Sequence, residues 1–329
     1  MTRWIALSEQ TAPLAAPQVG LLGRGLLVAE IEFPLAEAAV LLDLRAGTGA
    51  EEVALSLFHD LGAGIALLHR QGGQVLRHVL PGPLPQKRGV ARLSFGWDAG
   101  ARRWSLALEQ DGRRIAAEGA QVLPLRWEDV ERLCAGGPGV LRHPAVLWFG
   151  VTEGAALPGP QAWLGMTTPV ETPRGAVPAG QLKPGDRVMT ADHDAVAVTG
   201  VTRIAVPSRG SLAPIRLRAP YYGAREDILV SPDQAVWVGG PEAEYLFGDE
   251  EVLVLARHLA DGQMAVADSR RAVAIGVVLD LGAAELIRAD GCLLATAGAA
   301  GLPPVRRLLD AYEAQPLRAA LLGSQRRAV

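Results

Sequence analysis

The chain has 329 residues, which is enough for two domains that each bury a hydrophobic core. Hydrophobic residues make up 49% and charged residues 20%, and the 38 glycines and 23 prolines are typical of a loop-rich globular protein rather than a disordered or fibrous one. The 32 Lys and Arg against 35 Asp and Glu give a formal net charge of -3, with no basic face for a polyanion, so nucleic acid is not an expected partner.

The sequence shows no targeting signal and contains only two cysteines. The first twenty residues lack the apolar core of a signal peptide, and no run of about 18 apolar residues occurs anywhere. We therefore expect a soluble protein without a transmembrane segment, either cytoplasmic or exported by a route that needs no signal peptide. Cys134 and Cys292 lie too far apart for a CxxC pair, although one disulfide between them stays open.

Short apolar or alternating runs, separated by turn residues, predict strands from Leu26 to about Val151. The runs are LLVAEIEF (26–33), VLLDL (40–44), VALSLF (53–58), GIALLHR (64–70), QVLRHVL (74–80), VARLSFGW (90–97), RWSLALE (103–109) and AVLWFGV (145–151). RWEDVERLCAGG (126–137) predicts a short helix that ends at Gly136 or Gly137. This many strands favour a β-sandwich over an α/β fold.

Two of these runs predict a hairpin. DAGARR supplies Asp98 and Gly100 for the turn, and apolar residues of both runs fall on one face. The hairpin LSFGWDAGARRWSLALEQDG resembles the concanavalin-like, laminin G type jelly-roll sandwiches. Since many of those bind sugars or calcium, a glycan or protein ligand is an alternative to a purely structural domain, although no loop carries the Asp and Asn cluster that a hard cation needs.

A domain boundary is predicted after this half. TEGAALPGPQ (152–161) is rich in Gly, Pro and small residues, as linkers are. The expected organisation is a sandwich at 1–151, a linker at 152–162, a second β domain at 163–300 and a helical tail at 301–329.

The second half opens with the most specific passage, TPVETPRGAVPAGQLKPGDRVMTADHDAV from Thr168. Its PRG and KPGD steps are turn chemistries between short β runs, with Gly185 free to take a positive φ. The passage resembles the opening of a Hint domain, the hedgehog/intein fold, in its bacterial branch. The matching positions are Thr168, Val170, Thr172 to Gly175, Leu182, Gly185, Asp186, Val188 and Thr190.

Three later segments continue the resemblance in the family's order. They are APIRLRAPYYGAREDILVSPDQAVWV (213–238), GDEEVLVLARHLADGQMAVA (248–267) and VVLDLGAAELIRADGCLLAT (277–296). The likeness covers about 135 residues and implies an all-β fold of hairpins, with a strand and a turn in the middle segment.

In active members, as the resemblance implies, the first residue attacks the carbonyl before it and a histidine protonates the leaving nitrogen. The family's spacing places Trp163 at the nucleophile, Gln234 at the histidine that follows Ser231, and Ala284 at the histidine beside Glu285. Indole is not a nucleophile for acyl transfer, and an amide cannot give up a proton. We therefore expect lost self-processing, no catalytic residue, no metal and no cofactor.

An active autoprocessing protein that cleaves near residues 162–168 is the alternative. It would need Thr167 or Thr168 as nucleophile and His193 or His258 as acid, all displaced from their motif places. His193 and His258 adjoin turns, which favours turn-bonding roles for both. Cys292, in an apolar strand, is expected to be a small buried residue.

The tail VRRLLDAYEAQPLRAALLGSQRRAV predicts a helix. Its apolar residues at near-helical spacing are Leu308, Leu309, Tyr312, Leu317, Leu321 and Leu322, with Pro316 between the two groups. We expect this helix to dock on the second domain, with a partner-binding or membrane-surface helix as the alternative.

Overall fold

The computed structural model describes residues 3–9, 14, 20–154, 162–296 and 304–327. Within it the chain divides into two compact units, Met1–Pro158 and Gly159–Val329. Most of the linker predicted at 152–162 lies outside the described residues, which leave out 155–161.

The first unit is made almost entirely of strands. They are β1 Arg3–Leu7, β2 Leu21–Leu22, β3 Arg24–Phe33, β4 Ala39–Ala46, β5 Val53–Asp60, β6 Gly64–Gln71, β7 Gln74–Leu80, β8 Gly89–Asp98, β9 Arg103–Gln110, β10 Arg113–Ala120, β11 Leu125–Arg126, β12 Val140–Arg142 and β13 Val146–Glu153. The helix α1 spans Trp127–Ala135, and Gly49–Glu51 forms a 3-10 turn.

Two antiparallel sheets pack face to face in this unit. One has the strand order β1-β13-β3-β8-β9-β10 and the other β12-β4-β5-β6-β7, while β2 pairs with β11. A single hydrophobic cluster takes side chains from both sheets, including Phe33, Phe95 and Trp97 from the first and Leu57 and Ile65 from the second. The predicted β-sandwich is confirmed.

The hairpin predicted over DAGARR joins β8 to β9. Asp98 pairs with Arg103 and Trp97 lies opposite Trp104, and the Asp98 Oδ1 accepts a hydrogen bond from the Ala101 N–H at 2.9 Å. The carboxylate therefore closes the turn, as Asp does at such positions.

Two strands of the larger sheet, β1 and β10, were not predicted from the sequence, whereas the helix of this unit was. In β10 exposed residues alternate with half-buried ones, so the strand shows no run of apolar residues and is defined by its pairing with β9. β1 lies at the other edge, in a segment for which the sequence predicts no strand. The predicted helix is α1, and it ends at Gly136 with φ +75°.

The second unit contains shorter strands. They are β14 Leu164–Gly165, β15 Pro169–Thr172, β16 Gly175–Pro178, β17 Arg187–Met189, β18 Ala195–Ala197, β19 Gly200–Pro207, β20 Ile215–Leu217, β21 Ile228–Val230, β22 Ala235–Gly239, β23 Glu251–Leu255, β24 Ala265–Ala267, β25 Val273–Asp280, β26 Leu286–Ala289 and β27 Cys292–Ala295. Its helices are α2 Pro241–Phe247, α3 Ala256–Leu259 and α4 Ala311–Arg327, with 3-10 turns at Ala179–Gln181, Gly210–Leu212 and Tyr221–Gly223.

Two six-stranded sheets enclose the core of this unit. Their orders are β19-β25-β14-β21-β20-β24 and β16-β15-β26-β27-β22-β23, with β17 and β18 as a separate pair. The all-β fold class is confirmed. In the middle segment β23 is followed by the short helix α3, whose Ala256 and Arg257 N–H groups bond to the carbonyls of Gln234 and Pro232, and the expected turn comes after it, at Asp261–Ala265.

The tail begins differently from the prediction. Leu253 donates its N–H to the Arg307 carbonyl at 2.7 Å and accepts from the Leu309 N–H at 2.9 Å, so the tail first runs beside β23 and turns helical only at Ala311. Leu308 and Tyr312, predicted on the apolar face, are exposed. Leu308 takes part in a strand-like bridge with Leu253 instead of a helix, and Tyr312 lies in the first turn of α4.

The rest of the tail packs on the second unit. Leu309, Ala314 and Leu317 are buried in its core cluster. Among the described residues no helix is long and apolar enough to cross a membrane.

The buried histidines of the sandwich include His69 on β6 and His78 on β7. The Nδ1 of His69 and the Nε2 of His78 have no hydrogen-bond partner, and the His78 ring lies 4.7 Å from Trp104 and 5.3 Å from Phe95. Burial lowers the pKa of both imidazoles to about 4, and for His69 the charge of His78 adds to this effect.

We predict that the sandwich loses stability as the pH falls from about 6.5 toward 4. In this window the unfolded chain binds protons on both imidazoles while the folded chain does not, so the free energy of unfolding decreases with falling pH. His78→Phe keeps an aromatic ring and should remove roughly half of the slope.

Urea unfolding followed by circular dichroism at several pH values measures this slope. Tyr245→Phe, at an exposed aromatic residue of the second unit, is the control and should leave the slope unchanged. A slope that His78→Phe also leaves unchanged would contradict the assignment.

Candidate functional site

Trp163, at the position expected for the nucleophile, immediately precedes β14. Its carbonyl accepts a hydrogen bond from the Ser231 N–H at 3.0 Å, and the next residue, Leu164, pairs with both Val230 and Val277. The backbone at this point therefore lies between two strands in the interior of a sheet.

The indole of Trp163 packs into a small cluster. The side chain is 3% exposed and contacts a group that contains Val206, Ala274 and Val278. It lies over Gly276, where a Cβ would come within 2.5 Å of the ring, so the glycine leaves the space that the indole fills. The side chain serves packing and carries no acyl-transfer nucleophile.

Ser231 and Gln234 form the turn between β21 and β22. The Ser231 Oγ accepts from the Asp233 N–H at 3.0 Å, and the Gln234 N–H donates to the Ser231 carbonyl at 3.1 Å. Asp233 also forms an ion pair with Arg257 at the start of α3. Ser231 thus stabilises the turn through its hydroxyl, as Ser does in many turns.

The Gln234 side chain is buried and bonds to backbone. Its Nε2 donates to the Ala295 carbonyl at 2.6 Å and to the Ala235 carbonyl at 3.0 Å. Since Ala295 ends β27 and Ala235 begins β22, one amide group ties the ends of two neighbouring strands. It supplies two N–H donors but no transferable proton.

Thr168, Thr172 and Asp186 also bond to backbone. The Thr168 hydroxyl donates to the Leu229 carbonyl at 3.4 Å, and the Thr172 hydroxyl donates to the Gly175 carbonyl at 2.6 Å across the β15–β16 turn. The Asp186 carboxylate accepts from the Lys183 N–H at 2.8 Å. Gly185 has φ +95°, as the turn chemistry predicts.

Ala284 and Glu285 lie just before β26. Ala284 is half-buried and offers only a methyl group, whereas Glu285 is buried with its Oε2 3.2 Å from the Nδ1 of His193. The Thr190 hydroxyl bonds to the backbone of His193, which confirms the expected turn position of that histidine. Its contact with Glu285 joins residues 92 positions apart, and no local sequence signal reports it.

The displaced candidates for a nucleophile and an acid are not hydrogen-bonded to one another among the described residues. No hydrogen bond within the described part of the chain joins a histidine to Thr167, Thr168 or Cys292. Cys292 is buried, as expected, and burial together with the nearby Asp290 raises the pKa of its thiol to about 12. The pKa of His258 is lowered by burial and by the adjacent Arg257.

The structure brings some of the motif positions together and keeps others apart. Trp163 and Ser231 meet through a backbone hydrogen bond, and Gln234 reaches the last strand, whereas Thr172 and Asp186 sit in separate turns. Within the described ranges no three His, Cys, Asp or Glu side chains are placed to hold a metal ion.

Comparisons with known proteins give one family. Residues 165–298 match the family model described as the Hint domain. The matched span starts two residues after Trp163. A comparison with curated proteins found no match.

Several solved structures are similar at low identity. The CBM40 domain of Ruminococcus gnavus IT-sialidase is 15% identical over 48% of this chain and 94% of that one, with a TM-score of 0.31. The leech intramolecular trans-sialidase is 12% identical over 47% and 26%, with a TM-score of 0.27. The LG1-3 region of the laminin alpha2 chain is 10% identical over 92% and 57%, with a TM-score of 0.28.

The family match and the fold coincide. The matched residues hold most of both six-stranded sheets, and the turns at Thr172, Asp186 and Ser231 lie within the matched span. The chain therefore contains a Hint domain at residues 165–298, and a β-sandwich precedes it in the sequence.

Proposed function

We propose that this Hint domain no longer processes its own chain and acts as a binding or structural module. The observation that carries the proposal is Trp163, a buried indole packed over Gly276 at the place where the chemistry needs a thiol or hydroxyl. The first acyl shift has no attacking atom at that position.

The other two replaced positions support the same proposal. The side-chain amide of Gln234 donates to two backbone carbonyls, and an amide N–H cannot act as a general acid. Ala284 offers a methyl group beside Glu285, whose carboxylate contacts His193 instead. The residues that shape the turns are present, so the fold is independent of the reaction.

We predict that the purified full-length chain keeps its intact mass when a thiol or hydroxylamine is added. These reagents capture an ester or thioester intermediate, and cleavage before Trp163 would yield two fragments of about half the chain each. Gln234→His restores only the acid, so this variant should also stay intact. Mass spectrometry measures both, and cleavage of either protein would support the active alternative, with a cut near residues 162–168.

We also predict that Gln234 contributes to stability through its amide. Gln234→Ala leaves the Ala295 carbonyl without this donor and should lower the free energy of unfolding by about 1–3 kcal/mol. Gln234→Glu keeps the shape but, once ionised, faces two carbonyl oxygens, so the pKa of the new carboxyl should rise in the folded state.

The pH dependence of Gln234→Glu follows from that shift. Above an unfolded pKa of about 4.3 the folded variant binds more protons than the unfolded one, so its stability relative to the original protein should fall as the pH rises. Thermal unfolding between pH 4 and 8 checks this, with Gln181→Glu at an exposed position as the control. A loss independent of pH would argue against the two carbonyl contacts.

A second candidate function, carbohydrate binding, is favoured by a cleft in the sandwich. It has a volume of about 560 Å³ and is lined by Trp97 and Trp104 together with Arg103, Ser105 and Glu118. Trp97 is buried, whereas Trp104 is only half-buried and lies against Gly119, where a Cβ would come within 2.7 Å of the ring. The indole can stack on the C–H groups of a neutral sugar, and the neighbouring positive and negative side chains can bond to its hydroxyls.

For this candidate we predict that a glycan array detects binding and that Trp104→Ala weakens it by roughly tenfold or more, equivalent to about 1.4 kcal/mol. Tyr245→Ala, at an exposed aromatic residue of the other unit, should change nothing. An array that stays silent with the original protein would remove the sugar-binding candidate.

A further inference from the structure

Four neighbouring strands of the Hint domain present a row of side chains on the face of their sheet that is turned away from the core. The pairs Val170 with Ala289 and Val236 with Leu294 set the register, and all four residues are buried. Because side chains alternate along a strand, the adjacent positions share the opposite face. They are Glu171 on β15, Arg288 on β26, Leu293 on β27 and Trp237 on β22.

This row forms the floor of a cavity of about 500 Å³, here called the outer-face cavity. Tyr221 and Tyr222 line it as well, so three half-buried aromatic side chains surround the space. Its volume lies within the range typical of small-molecule sites, roughly 300–1,000 Å³.

The wall that carries the tyrosines is held in a strained, close-packed form. Tyr222 has φ +56° and ψ 19°, the left-handed region that bulky residues avoid. The neighbouring Gly223 approaches the β26–β27 turn so closely that a Cβ would lie 2.7 Å from the Gly291 carbonyl oxygen. Strain of this kind persists where surrounding contacts impose it, and it is concentrated at ligand sites.

Among the described residues that line the cavity, one cation has no acidic partner. Arg225 lies 3.7 Å from the Glu171 carboxylate and is thereby balanced. Arg288 donates its Nε–H to the Thr190 carbonyl at 3.1 Å, while its two terminal amino groups bond to nothing among the described residues. The guanidinium is thus oriented by one bond and offers its fork to an anion.

We propose that the outer-face cavity binds a small aromatic carboxylate. The ring would lie against Trp237, Leu293 and the tyrosines, and the carboxylate would pair with the terminal amino groups of Arg288. One unbalanced positive charge matches a monoanion better than a phosphate, which carries nearly two charges at neutral pH. This inference rests on the proposed binding role and names the class of ligand for it. The cavity does not include Trp163.

The test titrates the full-length protein with 2-naphthoate and, separately, with 2-naphthamide, which has the same ring system and no charge. Calorimetry should show saturable binding of the naphthoate at one site and binding at least tenfold weaker for the amide. Arg288→Gln should weaken naphthoate by at least tenfold and make the two probes equal. Trp237→Leu should weaken both.

Arg174→Gln is the matched control, since Arg174 is an exposed arginine in the nearby β15–β16 turn, and it should bind naphthoate as the original protein does. Circular dichroism of each variant establishes that it is folded. The proposal is overturned if the original protein shows no saturable binding, if both probes bind equally, or if Arg288→Gln changes nothing. Intact mass tests the loss of self-processing, and calorimetric titration tests the outer-face cavity. Either proposal can therefore be contradicted while the other stands.

Discussion

The short strand β14 is the constraint on which the Hint domain depends. Its two residues are hydrogen-bonded between β21 and β25, and the carbonyl just before them accepts from Ser231. This pairing places the start of the domain beside the turn from Ser231 to Gln234, and it does so through backbone groups alone. A change of side chain at residue 163 therefore leaves the meeting of these segments intact, because buried backbone groups must be paired whatever the side chains do.

The residues that shape the fold and the positions that would run the reaction are chemically separate. Thr172, Asp186 and Ser231 bond to backbone groups of their own turns, and those bonds do not involve the side chain at 163, 234 or 284. At 163 and 234 the side chains have structural contacts of their own, over Gly276 and between two strands. Under the proposed function the former reaction centre becomes part of the packing.

Much of the architecture could be predicted because it is written in local patterns. The hairpin at Asp98 and the helix that ends at Gly136 follow from turn residues and from alternation, which act over a few positions. The edge strand β10 could not be predicted, since an edge strand facing water needs few apolar residues. The start of the tail was predicted as helix and is extended, because its pairing with Leu253 depends on a strand more than fifty residues away.

By itself the sequence determined the sandwich, the Hint resemblance and the identities of the residues at 163, 234 and 284, since each depends on residue type, order or short-range periodicity. Tertiary structure alone decided what those residues contact. The tie from Gln234 to Ala295 joins distant positions, as do the pairing of His193 with Glu285 and the burial of His69 and His78. The outer-face cavity also depends on tertiary structure. Its floor is set by the register of four neighbouring strands that are not consecutive in the sequence. Long-range register is set by the packing of the whole core, and no local window of sequence contains it.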